Sequence, residues 1–478
     1  MRYNLYFILL TFVFNIQYSN AQIPDTAWTK TYGGAAWDNA YSVQPTSDGG
    51  YILTGFTESF GNGTRDLWLI KTGANGDTSW TKTYGGLGQE SGYGVLQTAD
   101  GYILAGQTDS YGEGSFDIYI LKLTSSGDIV WTKTYGDVNA DYARDIKMTS
   151  DGGYIICGST SGDAWILKIN STGDTSWTTT IRGPQSEVAE SIYQTTDGGY
   201  IAVGATGAFG VADVLLIRLN SQGDSLWART FGGPGYDWGH DVIQTPDGGY
   251  MVGGTTSTLG AGSEDVWLMK MDASGDTAWT KTYGGVETER GFSLQPVSNS
   301  GFIIGGISHT FTYGGDDGWL IRTDLNGSII WSQNLGGSDE DWIVSVQPTL
   351  DGGYIACGFT SSFGAGNRDA WVLKIESETS GLPFENHQDM LNKYHLSQNY
   401  PNPFNPTTTI AFDLPKASEV SLKIFNILGE EVTTLVSDRL STGSYSYEWD
   451  ASNIASGVYL YRLKAGDYVE TRKMVLMR

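Results

Sequence analysis

The sequence predicts an all-β protein with one large repeated domain and one smaller domain. Three observations support this prediction. Glycine accounts for 65 of the 478 residues, about twice its usual share of ~7%, so tight turns are frequent. Hydrophobic residues make up 40% and aromatic residues 13% of the chain, which supplies a core and excludes a disordered protein. A pattern of about 50 residues also recurs along most of the chain.

The chain is strongly acidic, with a formal net charge of −25. Leu396 to Arg478 contain 8 basic and 9 acidic residues, so the excess lies on residues 22 to 395. A surface this acidic repels nucleic acid and anionic lipid. We therefore predict no nucleic-acid partner.

The N-terminal segment has the pattern of a secretory signal peptide. An apolar run from Leu5 to Phe14 is followed by Ser19 and Ala21, small residues at positions −3 and −1 of a cleavage site before Gln22. Ten to twelve apolar residues are too few to cross a bilayer, since a spanning helix needs about 20. We assign residues 1–21 to a signal peptide and predict no transmembrane span.

A tryptophan-containing strand, most often WTKTYGG, recurs seven times at spacings of 46 to 52 residues. Between successive copies lie a DGGY-type turn flanked by β-rich runs and a strand of the form D-x-W-L-I-K. Each unit therefore holds four short strands, and such repeats are typical of a β-propeller. The repeated tryptophans are Trp28, Trp80, Trp131, Trp177, Trp227, Trp279 and Trp331.

The ends of the repeat array predict how the ring closes. The chain enters on the Trp28 strand without the three strands that normally precede it, and the array ends on the Asp369 strand with no tryptophan strand after it. The two fragments make one blade if they pair, which removes the open edges of the array. We therefore predict a seven-bladed β-propeller over residues 22–375, closed by its N-terminal strand.

A glycine follows one small or apolar residue in the second strand of every unit. We expect a side chain in place of this glycine to collide with the neighbouring blade. The two cysteines, Cys157 and Cys357, occupy the preceding position in the third and seventh units. Because these units lie nearly opposite across the ring, we predict two unpaired core thiols rather than a disulfide.

A carboxylate lies ten residues before each DGG-type turn. With the Asp that opens each third strand, it would form two rings of acids on one face of the propeller. Oxygen ligands of this kind suit Ca²⁺; alternatively, each acid caps backbone N–H groups of its own blade, which a feature present in every blade favours. The seven acids are Asp38, Glu90, Asp141, Glu187, Asp237, Glu289 and Asp341.

A ligand site is expected where the units differ. The innermost strands of blades 3 to 5 carry ionisable residues where most units have pairs such as Tyr-Ser, and the loop between the second and third strands is shortest in blade 3. This combination predicts a notch in the rim, and nearby tryptophans would stack on sugar rings or partner side chains. Repeat drift with locally paired charges is the alternative. The candidate ligand-binding residues are Arg144, Asp145, Glu190, His240, Asp241, Trp238 and Trp342.

After Ile375 the composition changes. Residues 376–395 are polar and unrepeated, which is typical of a linker. Residues 396–478 alternate apolar and polar residues, which predicts a small immunoglobulin-like β-sandwich. The run QNYPNPFNPTT from Gln398, the Ile427-Leu428-Gly429 turn, SGVY from Ser456 and KMVL from Lys473 resemble the type A C-terminal sorting domain of type IX secretion cargo. An immunoglobulin-like accessory module is the alternative.

The resemblance implies export through the inner membrane and then across the outer membrane, with residues 396–478 recognised by the type IX translocon. It places the protein outside a Gram-negative cell, either secreted or on the cell surface. For the propeller we predict a non-catalytic module that binds a glycan or a protein, with Ca²⁺ as the only candidate cofactor. One alternative is a polysaccharide hydrolase or lyase using Asp145, Glu190, His240 or Asp241 as acid and base; another is a structural envelope protein.

Overall fold

The computed structural model describes residues 23–208, 211–298, 300–312, 314–378, 395–396, 399, 406–414, 416–427, 429–441, 443–466 and 468–476. Ile23–Glu378 form one compact unit, and the described residues from 395 onward belong to a second. The predicted signal peptide and most of the predicted linker lie outside the described residues. Within the described ranges all regular elements are β-strands.

The first unit consists of seven four-stranded antiparallel sheets, which we call blades 1 to 7. The strands in chain order are β1 (Thr26–Tyr32, in blade 7); β2 (Asp38–Pro45), β3 (Tyr51–Thr57), β4 (Asp66–Thr72) and β5 (Thr78–Tyr84) of blade 1; β6 (Glu90–Thr98), β7 (Gly101–Thr108), β8 (Asp117–Thr124) and β9 (Ile129–Tyr135) of blade 2; β10 (Asp141–Met148), β11 (Tyr154–Thr160), β12 (Asp163–Ile169) and β13 (Thr175–Ile181) of blade 3; β14 (Glu187–Gln194), β15 (Tyr200–Ala208), β16 (Val211–Leu219) and β17 (Ser225–Phe231) of blade 4; β18 (Asp237–Gln244), β19 (Tyr250–Thr256), β20 (Asp265–Met271) and β21 (Thr277–Tyr283) of blade 5; β22 (Glu289–Pro296), β23 (Phe302–Ser308), β24 (Asp317–Thr323) and β25 (Ile329–Leu335) of blade 6; and β26 (Asp341–Pro348), β27 (Tyr354–Thr360) and β28 (Asp369–Ile375) of blade 7.

The blades form a closed ring. The inner strands β2, β6, β10, β14, β18, β22 and β26 each pack against the next, and β26 packs against β2. The N-terminal strand β1 pairs antiparallel with β28 and completes blade 7, where the Trp371 indole N–H donates to Thr29 Oγ1 at 2.8 Å. The predicted seven-bladed propeller closed by its N-terminal strand is therefore confirmed.

The propeller core lies between neighbouring blades. Val43 and Leu53 of blade 1, for example, share one hydrophobic cluster with Ile355 and Val372 of blade 7. Because each sheet is covered on both faces, its central strands are buried along most of their length and are rich in apolar residues. Cys157 and Cys357 are buried free thiols, as predicted, and burial raises the pKa of both.

Every inner strand contains a β-bulge. In blade 3 the pairing of β10 with β11 shifts between Ala143 and Asp145, so Arg144 is the extra residue. A bulged residue has no partner on the adjacent strand and its side chain is redirected. Here the bulges turn one side chain per blade toward the ring axis: Tyr41, Tyr93, Arg144, Glu190, His240, Phe292 and Val344.

The repeated glycine of the second strand lies against this bulge. A Cβ atom at Gly158 would be 1.8 Å from the Tyr142 carbonyl oxygen, and one at Gly358 would be 1.8 Å from the Trp342 carbonyl oxygen. Both contacts are with the inner strand of the same blade. The expected collision with a neighbouring blade is therefore wrong, because the bulge brings the blade's own backbone over the glycine.

Buried cations near the ends of the third strands form ion pairs with the turns that join the first and second strands. In blade 1, Lys71 Nζ lies 2.9 Å from Asp48 Oδ2 of the DGG turn. Blade 6 has NSG instead, and its Arg322, whose side chain is 1% exposed, lies 2.7 Å from Glu378 Oε1. Glu378 follows the last strand, so the propeller unit continues past Ile375, where the sequence placed its end.

The second unit contains two sheets. One consists of β29 (His395–Leu396), β30 (Thr407–Leu414) and β33 (Gly443–Asp450), and the other of β31 (Ser418–Asn426), β32 (Glu431–Leu440), β34 (Gly457–Ala465) and β35 (Tyr468–Leu476). Both sheets contribute to one core, which includes Phe412 and Trp449 of the first sheet and Leu422 and Tyr461 of the second. Asn399 of the QNYPNP motif is buried and its backbone N–H donates to the Tyr461 hydroxyl oxygen at 2.8 Å.

Candidate binding site at the mouth of the central channel

The bulged residues surround a cavity of about 120 Å³ on the propeller axis, lined by the inner strands of all seven blades. Five of the predicted site residues line this cavity: Arg144, Asp145, Glu190, His240 and Asp241. The sequence placed them at equivalent positions of neighbouring units, and the bulges bring them together. Trp238 and Trp342 are not in its lining. They lie at the beginning of the inner strands β18 and β26.

Arg144 and Glu190 form an ion pair between blades 3 and 4. Arg144 Nε lies 3.6 Å from Glu190 Oε2, which raises the pKa of the guanidinium above its usual value. The guanidinium also lies 5.5 Å from the centre of the Tyr93 ring and 5.9 Å from that of Tyr142. At 3.6 Å this contact is longer than a hydrogen bond, and Arg144 Nε has no hydrogen-bond acceptor within the described part of the chain.

Asp145 holds blade 3 to blade 4. Its Oδ1 accepts a hydrogen bond from Lys147 Nζ at 2.8 Å, and its Oδ2 accepts one from the Ile192 backbone N–H at 3.2 Å. The Ser191 hydroxyl lies 3.3 Å from Asp145 Oδ2. These bonds use the carboxylate to fasten one blade to the next.

Asp241 has the same role between blades 5 and 6. Its Oδ1 accepts a hydrogen bond from the Ser191 hydroxyl at 2.8 Å, and its Oδ2 accepts one from the Leu294 backbone N–H at 2.9 Å. Burial raises the pKa of Asp241 to about 6, although Lys147 lowers it. A carboxylate that accepts backbone N–H bonds is held in a fixed orientation, which suits a structural link.

His240 is the neutral member of the group. Burial, together with the nearby Arg290 and Arg144, lowers its pKa to about 3. Its ring stands edge-on to Phe292, with the ring centres 5.2 Å apart. At neutral pH the imidazole therefore adds a polar but uncharged surface to the channel.

This pKa shift predicts a pH dependence of stability. The unfolded chain protonates His240 below about 6.5 and the folded chain does not, so its contribution is complete above pH 6.5 and is lost as pH falls toward 3. The variant His240→Phe copies Phe292 of blade 6. Between pH 7.5 and 4.5 its free energy of unfolding is expected to fall by about 2 kcal/mol less than that of wild type. Urea unfolding at both pH values measures this, and equal losses in the two proteins would contradict it.

A row of aromatic side chains follows the mouth of the channel from blade 5 to blade 7. Successive ring centres are 5.4, 6.4, 5.2, 5.5 and 5.2 Å apart. Aromatic surfaces of this kind bind sugar rings and partner side chains. The row consists of Tyr236, Trp238, His240, Phe292, Trp342 and Phe359.

A second cavity, of about 210 Å³, lies where the short loop of blade 3 predicts a notch. Blade 3 joins its second and third strands through Ser161 and Gly162, both with positive φ, as in a two-residue hairpin turn. The notch is lined by Tyr142, Arg144 and Trp238, among others. Arg144 lines both cavities, so the notch and the channel mouth meet at this residue.

The seven repeated acids contact the backbone of their own loops. Each accepts a hydrogen bond from the N–H four residues earlier, at 2.7 to 3.0 Å. Glu90, for example, binds Gly86 N–H at 3.0 Å and the Thr108 hydroxyl at 2.6 Å. The repeated carboxylates therefore cap backbone N–H groups of their own blades. In the described ranges, no three His, Cys, Asp or Glu side chains are grouped to hold a metal ion.

Sequence reasoning missed Tyr142, Val188 and Arg290. The available signal was the position directly after each repeated acid, where side chains differ in size from blade to blade. Aligned by the acid, this position reads Asn39, Ser91, Tyr142, Val188, Trp238, Arg290 and Trp342.

Residues 398–477 match the family model described as the secretion system C-terminal sorting domain. The chain carries a type IX secretion sorting domain. It is therefore a secreted or cell-surface protein of a Gram-negative bacterium of the Bacteroidetes type. None of the described segments forms a helix long and apolar enough to cross a membrane.

Solved structures similar to this chain are distant in sequence. PorZ of Porphyromonas gingivalis, an essential bacterial surface component of the type IX secretion system, is 12% identical with a TM-score of 0.45; 94% of this chain and 60% of PorZ are covered. Drosophila Plexin A in complex with Semaphorin 1b is 9% identical with a TM-score of 0.46, covering 74% of this chain and 88% of that chain. The chain thus spans 60% of the length of PorZ. No curated protein matches the sequence.

Proposed function

We propose that this type IX cargo is a non-catalytic binding protein that holds an extracellular glycan at the mouth of its central channel. The observation that carries the proposal is the convergence of Arg144, Glu190 and His240 from three successive blades. These are positions at which the repeats differ, so the blade architecture itself does not require them.

The chemistry of the mouth fits a carbohydrate. Arg144 and Glu190 offer a charged donor and a charged acceptor 3.6 Å apart, which together can hydrogen-bond neighbouring hydroxyl groups. The aromatic row beside them supplies apolar surface. A small number of placed polar groups beside aromatic walls is the usual composition of a ligand site.

The contacts of the acids favour binding over hydrolysis. Glycoside hydrolysis needs one carboxylic acid and one carboxylate facing a common substrate. Asp145 and Asp241 instead accept hydrogen bonds from backbone N–H groups of adjacent blades, and Glu190 is paired with Arg144. Asp145 and Asp241 therefore link adjacent blades, and the charge of Glu190 is balanced by Arg144.

The proposal is tested by measuring binding of the full-length chain to immobilised polysaccharides. The double variant Arg144→Met with Glu190→Gln keeps side-chain size but removes both charges. It is expected to weaken binding at least tenfold, about 1.4 kcal/mol. The matched control is Lys82→Met with Asp128→Asn, which removes an exposed ion pair with an N–O distance of 2.6 Å far from the channel.

Unchanged binding by the channel variant would contradict the proposal, as would equal weakening by the control pair. Shortened polysaccharide products after incubation with wild type would show instead that the site is a hydrolase. Absence of binding to every polysaccharide, with binding to an extracellular protein, would assign the face to a protein partner.

A further inference from the structure

The notch lies where a small side chain stands between two large ones. The residue after each repeated acid stands at the channel mouth, and on either side of blade 4 it is large: Tyr142 in blade 3 and Trp238 in blade 5. In blade 4 it is Val188. The cavity lies over Val188, with Tyr142 and Trp238 contributed by the two flanking blades.

Two local features of the hairpins open the notch further. Blade 3 contributes only the Ser161 and Gly162 turn, whereas blade 1 has eight residues between β3 and β4. In blade 4, β15 extends to Ala208 and β16 begins at Val211, so this hairpin continues as paired strands beside the cavity. Ala205 and Gly207 of this hairpin also line the cavity, and neither fills it with a large side chain.

Two hydrogen-bond donors at the notch lack acceptors. Trp238 Nε1 is a buried atom with no hydrogen-bond partner in the described part of the chain. Arg144 Nε faces Glu190 Oε2 at 3.6 Å, which is longer than a hydrogen bond, and both residues line the cavity. A buried donor without an acceptor is unfavourable, and a ligand oxygen would relieve it. The notch therefore suits a ligand that brings oxygen acceptors into an aromatic-walled space.

Charge and size narrow the ligand class. The Arg144 cation is already balanced by Glu190 at 3.6 Å, and the carboxylate of Glu187 also lines the notch. An acidic sugar would add a negative charge that nothing here neutralises. The volume of about 210 Å³ is below the ~300–1,000 Å³ of sites for drug-sized ligands, so a single ring is the appropriate size.

From these observations we propose that the notch over Val188 is a subsite for one ring of a neutral glycan, inserted between Tyr142 and Trp238. This inference rests on the proposed glycan-binding function and names its ligand class. A ring in this place would present hydroxyl oxygens to Trp238 Nε1 and Arg144 Nε, and the rest of the glycan would continue over the channel mouth.

The first variant fills the notch with a larger side chain. Val188→Trp introduces the residue that Trp238 and Trp342 already represent at the same position of blades 5 and 7, so the propeller should accept it. Titration calorimetry of the full-length chain would use neutral oligosaccharides (cellohexaose, maltoheptaose, laminarihexaose and xylohexaose) and acidic polymers (polygalacturonate and alginate). We expect binding of a neutral probe, and at least a tenfold loss of affinity in Val188→Trp.

A second pair of variants tests the unpartnered donor without filling space. Trp238→Phe keeps an aromatic wall and removes the N–H, and should weaken binding of the same probe several-fold. Trp319→Phe is the matched control, because Trp319 also carries an Nε1 without a partner in the described part of the chain but lies on β24 of blade 6 and lines neither of the two cavities. It should bind as wild type does.

The outcomes separate this inference from the proposed function. If Val188→Trp and Trp238→Phe bind a neutral probe as wild type does while Arg144→Met with Glu190→Gln does not, the channel mouth binds glycan and the notch is no subsite. Preference for the acidic polymers would overturn the neutral ligand class. No binding of any probe would overturn both proposals together.

Discussion

A chain from which residues 23–32 are removed is expected to lose its cooperative unfolding transition. This deletion removes β1, the strand that completes blade 7 by pairing with β28. It leaves a row of unpaired N–H and C=O groups on β28 and removes Trp28 and Tyr32 from the cluster between blades 7 and 1. The expected loss exceeds about 5 kcal/mol, a large part of the 5–15 kcal/mol typical of a folded protein.

Urea denaturation followed by tryptophan fluorescence measures this loss. A synthetic peptide of residues 23–34 provides the control, since it can pair with the exposed edge of β28. It should restore a cooperative transition whose midpoint rises as the peptide concentration is raised. A peptide with proline in place of Thr29 and Thr31 should not restore it. An unchanged midpoint in the truncated chain would show that ring closure does not depend on β1.

Gly158→Ala is expected to destabilise the propeller by about 3 kcal/mol or more. The added Cβ would be 1.8 Å from the Tyr142 carbonyl oxygen, and a backbone atom cannot rotate away as a side chain can. Overpacking of a well-packed core commonly costs about 1–3 kcal/mol, and a clash with backbone lies at the upper end. The strand that must move is β10, so the position of Arg144 should change with it.

Gly73→Ala is the matched control for this substitution. The nearest atom to a Cβ at Gly73 is Asn75 Oδ1 at 3.4 Å, an ordinary contact, so its stability should remain within about 0.5 kcal/mol of wild type. Unfolding free energies of both variants, together with glycan binding by Gly158→Ala, make the comparison. A Gly158→Ala protein as stable as wild type would mean that the bulge in β10 is not rigid.

The architecture could be predicted because it rests on local patterns. Each turn and strand of the propeller follows from a few consecutive residues, and the closure of blade 7 follows from matching the incomplete units at Trp28 and Asp369. The same comparison of aligned repeats selected Arg144, Glu190 and His240 as candidates, and the structure places all three in the lining of one cavity. The comparison failed at Gly158, because the bulge that creates the contact is a change in strand register, and register depends on the partner strand.

The amino-acid sequence is thus sufficient for the number of blades, the closing strand, the unpaired cysteines and the sorting domain, because each of these is a property of short segments or of their repetition. The structure alone shows that Val188 lies in the predicted notch. It alone also shows the link between Asp145 and Asp241 through Ser191 and the contact of Arg322 with Glu378. They join residues that are roughly 50 positions apart in sequence. Such contacts depend on how adjacent blades pack, and packing depends on which side chains the bulges turn toward the axis.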